Sequence, residues 1–148
     1  MKKRVVVFGI FDGVHEGHRS LFSQAVRGSE EPSGSRRGKA KEDVELIVIV
    51  GRDSASLKWK GKKPKHSQQT RLSLVMKEEE VSDAVLGDEE QSSYKVLENL
   101  HPDVVCLGYD QNDLAQDLRL WLKKTGREIP IYILKPHNSH INHTSFFP

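Results

Sequence analysis

Apolar residues in this chain fall into short β-branched runs separated by stretches in which they recur every third or fourth position. The first run, Val5 to Phe8, is continuous, as a strand covered on both faces of a parallel sheet must be. Leu21, Phe22, Ala25 and Val26 then follow at helical spacing. A second run, Leu46 to Val50, ends at Gly51-Arg52-Asp53, and a helix is predicted from Ser67 to Lys77, with Ser67 as its N-cap and Leu72, Val75 and Met76 on one face. The same reading gives a short strand at Ala84 to Leu86, a helix over Ser92 to Leu100 and a strand over Asp103 to Leu107. It ends with a helix over Asn112 to Lys124, closed by Gly126, and a strand over Ile129 to Leu134. Strands alternating with helices predict an α/β fold, and right-handed crossovers make it a doubly wound five-stranded parallel sheet, a Rossmann-like three-layer sandwich.

Two segments carry no such rhythm. Residues 27–43 are polar and charged and read as a flexible loop inserted between the first helix and the second strand. Within it, Arg36, Arg37, Lys39 and Lys41 invite a nucleic-acid reading, but flanking acidic residues favour a solvated loop. The other segment, Lys58 to His66, packs five lysines into eight residues just before a helix N-terminus. With 148 residues the default is a single domain spanning 1–148.

Charge narrows the chemistry. The chain has 23 Lys+Arg against 21 Asp+Glu, a formal net charge of +2, so a general polyanion-binding role is not expected and any basic function must be local. One cysteine, Cys106, lies inside the apolar run Val104 to Leu107, which excludes an intramolecular disulfide and reads as a buried small hydrophobe. No run is long enough to span a bilayer and Met1 to Arg4 leads into a short strand, so a cytoplasmic protein with no membrane or nucleic-acid partner is expected.

The candidate chemistry sits at the first strand-to-helix junction, Gly9-Ile10-Phe11-Asp12-Gly13-Val14-His15-Glu16-Gly17-His18. Backbone N–H groups and the positive end of the helix dipole face an anion there, and the two imidazoles can bond its oxygens. Two histidines alone do not make a zinc site, and the turn is neither a Walker loop nor a dinucleotide fingerprint. Ligands of doubly wound sheets lie beyond the carboxyl ends of the strands. The polar clusters expected there are His15/His18, Gly51 to Asp53 with the lysine-rich loop, Gly108-Tyr109-Asp110-Gln111, and the C-terminal tail. Together they suit a nucleoside triphosphate.

These residues carry a resemblance. Gly9-Ile10-Phe11-Asp12-x-x-His15-x-Gly17-His18 resembles the G-T-F-D-x-x-H-x-G-H signature of the cytidylyltransferase-like nucleotidyltransferases, with Ile10 where threonine is usual. Lys62-Lys63-Pro64 followed by Arg71 resembles the family's lysine loop and helix arginine, and Asp83 to Asp88 resembles its third-strand segment. Cys106 to Gln111 resembles the L-G-Y-D-Q of archaeal-type FAD synthetases (FMN adenylyltransferases), where glycerol-3-phosphate cytidylyltransferases usually read M-G-D-D-W.

The resemblance implies a nucleotidyltransferase that joins NMP from an NTP to a phosphate-bearing acceptor and releases pyrophosphate, ATP and FMN giving FAD being the leading pair. A cytidylyltransferase using CTP with glycerol 3-phosphate, phosphocholine or phosphoethanolamine is the enzyme alternative, and a non-catalytic nucleotide-binding module the alternative of another class. It assigns catalysis to His15, His18, Lys62 and Arg71, and nucleotide contacts to Gly9, Ile10, Phe11, Gly17, Lys60, Lys63, Gly108, Asp110, Thr144 and Ser145. Mg²⁺ is expected to arrive with the triphosphate, with no dedicated protein metal site, and a homodimer is a further implication.

Several residues have two readings. Asp12 is expected to bond the amides of its own turn rather than meet a metal, and Asp110 to touch ribose or base or else cap the helix starting near Asn112. Trp59 is placed to shield the crevice or stack on a flavin, and Trp121 to lie in the core. The tail departs from the family's I-S-S-T-x-I-R: His143 replaces a serine, Thr144 is retained and the final arginine is missing. Lys135, His137, Asn138 and His140 precede it.

Overall fold

The computed structural model describes residues 2–28, 43–90 and 92–136. Its element order is β1 (Lys3–Gly9), α1 (Glu16–Gly28), β2 (Val44–Val50), α2 (Asp53–Lys60), α3 (Gln68–Met76), β3 (Asp83–Leu86), α4 (Lys95–Leu100), β4 (Val104–Leu107), α5 (Asn112–Thr125) and β5 (Ile131–Ile133). All five strands are parallel, in the order β3-β2-β1-β4-β5. The chain therefore runs outward from β1 in one direction and, through β4, in the other, which opens a crevice between the carboxyl ends of β1 and β4.

Alternation along the strands divides the core into two layers. Val5, Val7, Val48, Val50 and Cys106 face one side, where they pack with Phe22, Ala25 and Val26 of α1 and Val75 of α3. Val6, Ile47, Ile49, Val105 and Leu107 face the other, against Leu97 of α4 and Ala115, Leu118 and Leu122 of α5. The central strands are buried on both faces, so they read as unbroken apolar runs rather than as alternation.

Two helical readings change. The segment Asp53–Lys60 is a helix, so Lys58, Trp59 and Lys60 leave the loop to which the sequence assigned them. Its amphipathic signal is short, since only Ala55 and Ser56 of its described side chains are buried. α4 begins at Lys95 rather than Ser92, because Ser92 and Tyr94 both take positive φ and cannot continue a helix. Ser67 does cap α3, its side chain accepting from the Thr70 N–H at 3.2 Å. Gly126 closes α5 in the left-handed region, as read. Trp121 joins the second core layer, 5.3 Å from Tyr94 between ring centroids. Cys106 is buried, and that burial pushes its thiol up to about 12. Loop residues 29–42 lie outside the described residues.

Leu118 and Leu120 stand two residues apart on α5 with opposite environments, 0% and 64% exposed. Leu118→Ala is expected to cost about 2–5 kcal/mol of unfolding free energy. Leu120→Ala is expected to change it by less than about 0.5 kcal/mol, with urea denaturation as the measurement.

Candidate active site

The junction after β1 has a physical logic that the motif alone does not display. α1 starts at Glu16, which makes His15 the residue before the helix, Gly17 the second helical residue and His18 the third. The His15 Nδ1 accepts from the Gly17 N–H at 3.1 Å, and the His18 Nδ1 accepts from the His15 N–H at 3.3 Å. This is a reciprocal capping box built from imidazoles, satisfying two N–H groups that the helix start leaves open. Gly17 is required because a Cβ there would come 2.9 Å from the His15 ring. Since each Nδ1 is an acceptor, each neutral ring carries its proton on Nε2, as a donor.

The rings stack in a column from solvent to core. His15 lies on His18 with centroids 3.9 Å apart and 21° between planes. His18 meets Phe11 edge-on at 4.9 Å, and Phe11 meets the buried Phe22 at 5.5 Å. Phe11 reaches this place by adopting φ 56°, an uncommon backbone for a bulky residue, which turns its ring back over Gly9. A Cβ on Gly9 would lie 2.5 Å from that ring. Gly9 and Phe11, read from the sequence as nucleotide contacts, are thus occupied with each other, and Phe11 is buried. Ile10 sends its side chain over Gly51, where an added Cβ would come within 2.7 Å.

Burial pushes the His18 imidazole down to about 4, helped by the like charges of His15, Lys60 and Arg19 and opposed by a hydrogen bond to the Gly13 carbonyl. At neutral pH it is therefore an uncharged donor. Lys60, at the end of α2, is close enough to contribute that field. Lys62 and Lys63 lie in the exposed segment that follows Gly61. The segment is fastened at its start by the buried Ser56, whose hydroxyl donates to the Lys62 carbonyl at 2.6 Å.

At its far end it is fastened by Asp12. That carboxylate does bond amides, but those of Lys65 at 2.6 Å and His66 at 2.9 Å rather than of its own turn, and it also meets the His66 Nδ1 at 2.8 Å. Desolvation alone would raise its pKa, and these bonds outweigh it, holding the carboxyl at about 2.

Arg71 is wholly buried, with its guanidinium spent on protein. Nη1 donates to the carbonyls of Ile10 (2.8 Å) and Gly51 (2.6 Å), Nε to that of His66 (3.0 Å), and Nη2 to the Asp53 carboxylate (2.6 Å). The resemblance grouped it with the catalytic residues. In the structure it joins the ends of β1 and β2 to α2 and to the lysine segment.

Across the crevice, the Gln111 amide accepts from the Gly108 N–H at 2.6 Å and donates to the Phe8 carbonyl at 3.0 Å, spanning the ends of β4 and β1. A Cβ on Gly108 would lie 3.2 Å from the Asp110 carboxylate. Asp110 does not cap α5, whose N-cap is Gln111 without a side-chain cap bond. Thr144, Ser145, His137, Asn138, His140 and His143 lie outside the described residues, as does the Trp59 side chain. The sequence reading missed Ser56, His66 and Gln111 as supports. Only Gln111 had a signal, its place in the L-G-Y-D-Q match, and that carried no hint that its amide bridges two strand ends.

Comparison with known proteins fits this geometry. A family model described as FAD synthetase matches residues 1–36. The FAD synthase of Pyrococcus horikoshii is 32% identical over 130 residues, covering 88% of this chain and 78% of its own. That of Korarchaeum cryptofilum is 34% identical over 131 residues, covering 88% and 80%. The chain belongs to the FAD synthase family. A crystal structure titled as the lipopolysaccharide core biosynthesis protein of Thermoplasma volcanium superposes with a TM-score of 0.73 at 29% identity, covering 92% of this chain and 98% of that one. Pantoate-beta-alanine ligase from Francisella tularensis shares the fold, with a TM-score of 0.55 at 12% identity, over 97% and 67%.

In this FAD synthase family member, groups of three or more His, Cys, Asp or Glu able to hold a metal are absent among the described residues, and none of their helices is long and apolar enough to cross a membrane. Two predictions follow from the histidine turn. Gly17→Ala, which as a helix substitution would otherwise stabilise by up to about 1 kcal/mol, is expected to displace the His15 ring and depress turnover while the unfolding midpoint holds or rises. Steady-state rates and thermal unfolding of the same sample check it. Because the folded pKa of His18 lies below its unfolded value of 6.5, the unfolded chain takes up the proton first as pH falls, and stability drops from pH 6.5 toward about 4. Between pH 6.5 and 5 the loss should reach up to about 2 kcal/mol, and urea titrations of wild type and His18→Asn should show a shallower slope in the variant.

Proposed function

We propose that the protein is an FMN adenylyltransferase, transferring AMP from ATP to FMN to give FAD and pyrophosphate. A phosphate oxygen of FMN forms a bond to the α-phosphorus of ATP while the bond from that phosphorus to the bridging oxygen of the β-phosphate breaks in line. The nucleophile is already an anion, so no base is needed. One observation carries the reading: at the switch point of the sheet two stacked imidazoles have their Nδ1 atoms occupied by backbone N–H groups, Lys60 is near enough for its charge to act on His18, and Asp12 and Asp53 are both engaged in protein contacts.

Each group then has a task. His15 and His18 donate hydrogen bonds as negative charge grows on the α-phosphoryl oxygens, and the burial that holds His18 at about 4 keeps that ring uncharged through the step. Lys60, Lys62 and Lys63 neutralise the triphosphate and the acceptor phosphate. Ile10, Gly17 and Gly108 keep the backbone close to the nucleotide, with Thr144 and Ser145 as further contacts. Arg71, though grouped with the catalytic set by sequence, acts by holding the turn and the lysine segment together.

The donor set of the described residues fits Mg²⁺ as an ion carried by the triphosphate oxygens, Asp12 and Asp53 being engaged in ion pairs with His66 and Arg71. When bound, the ion supplies charge neutralisation. A homodimer in a reducing cytoplasm completes the proposal, and the buried lone Cys106 accords with that setting.

The purified protein is expected to release pyrophosphate and form FAD from ATP and FMN, and to stop when EDTA is added. His18→Ala should lower the rate about a hundredfold or more. Turnover confined to CTP with an alcohol phosphate would overturn the acceptor and base assignments, and nucleotide binding without pyrophosphate release would overturn the enzyme reading itself.

A further inference from the structure

His66 belongs to neither the histidine turn nor the lysines, yet three of its atoms tie the two together. Its N–H and Nδ1 meet the Asp12 carboxylate at 2.9 and 2.8 Å, while its carbonyl accepts from Arg71 Nε at 3.0 Å. Arg71 in turn holds the Ile10 carbonyl, two residues before Asp12. The corner Lys65-His66 is therefore gripped from both sides by the segment Ile10 to Asp12, the same turn that presents His15 and His18. Between this corner and the Ser56 bond to Lys62 the lysine segment has only Lys63 and Pro64 to span, so its path is set at both ends.

Resting on the adenylyltransferase reading above, we infer that His66 is a positioning residue of the transfer reaction: seated on Asp12, it latches the lysine segment to the histidine turn so that ammonium and imidazole groups meet one triphosphate together. The backbone bonds of Lys65 and His66 to Asp12 supply part of the grip. The ring bond supplies the directional part, because it fixes the side-chain torsion of His66 and thereby the turn from Pro64 into α3. An amide at this position can donate the same bond, whereas a methyl group cannot.

The test uses the full chain with His66→Ala and His66→Asn. The backbone amides of residues 65 and 66, bonded to Asp12, are expected to exchange slowly with deuterium in the wild type and fast in His66→Ala. kcat/KM for ATP should fall about 10- to 100-fold, more through kcat than through KM, with an unchanged unfolding midpoint. His66→Asn should recover most of the rate and the amide protection. Wild-type kinetics in His66→Ala would overturn the inference, as would equal losses in both variants accompanied by a lowered midpoint, which mark a role in folding alone. Slow amide exchange in His66→Ala would overturn it whatever the substrate. Failure of the wild type with ATP and FMN would count against the proposed reaction instead, and the exchange experiment would still decide the latch.

Discussion

Everything at the carboxyl end of this sheet hangs on the buried guanidinium of Arg71. Four acceptors surround it, the carbonyls of Ile10, Gly51 and His66 and the carboxylate of Asp53, and they belong to the turn after β1, the end of β2, the residue before the Ser67 cap of α3 and the start of α2. Three of the four are backbone carbonyls that would otherwise face the interior unpaired. Burying a cation costs several kcal/mol, and only a full set of partners offsets it, so the arrangement is all-or-none: a site missing one partner leaves a desolvated charge behind. The fork of the guanidinium is what allows one side chain to address elements arriving from four directions. Lysine has no comparable fork.

The same division of labour recurs through the site. Side chains that the motif advertises are held by side chains that it does not: the histidines by Phe11 and by each other, the lysine segment by Ser56 and Asp12, the β4 turn by Gln111. Strain is concentrated at Phe11, whose left-handed backbone is tolerated because its ring is trapped between Phe22, Gly9 and His18. The capping box explains why two histidines three apart need a glycine just before the second. His15 must fold over the second helical residue to reach its N–H, and any side chain there would occupy the space of the ring.

Much of this fold can be read from the chain because parallel strands buried on both faces leave an unmistakable trace, as Val5 to Val7 and Leu46 to Val50 do. The cap at Ser67 and the close at Gly126 were legible for the same reason, since local geometry demands particular residue types there. The helix Asp53–Lys60 was not. Its lysines and its short apolar stripe look like a loop, and it is helical because Arg71 and Gln68 fix its first turn from elsewhere, Gln68 by accepting from the Asp53 N–H. The roles of Asp12 and Arg71 were hidden by a similar cause. A carboxylate in a glycine turn and an arginine in a lysine-rich region give no sign of partners more than fifty residues away or of burial, which only the packed structure supplies.

The strand order has a consequence for how the crevice comes into being. Its two walls meet only where Val5 pairs with Val104, Val6 with Val105 and Val7 with Cys106, so one wall is supplied near the beginning of the chain and the other after most of it. Such a distant pairing closes a long loop and belongs to the slow, late part of folding. The crevice and the global fold therefore appear together, and a partly opened form that has lost β4 retains no binding site. Any ligand seated between β1 and β4 consequently draws its free energy from the whole folded population, and by mass action it protects the entire chain rather than one corner of it.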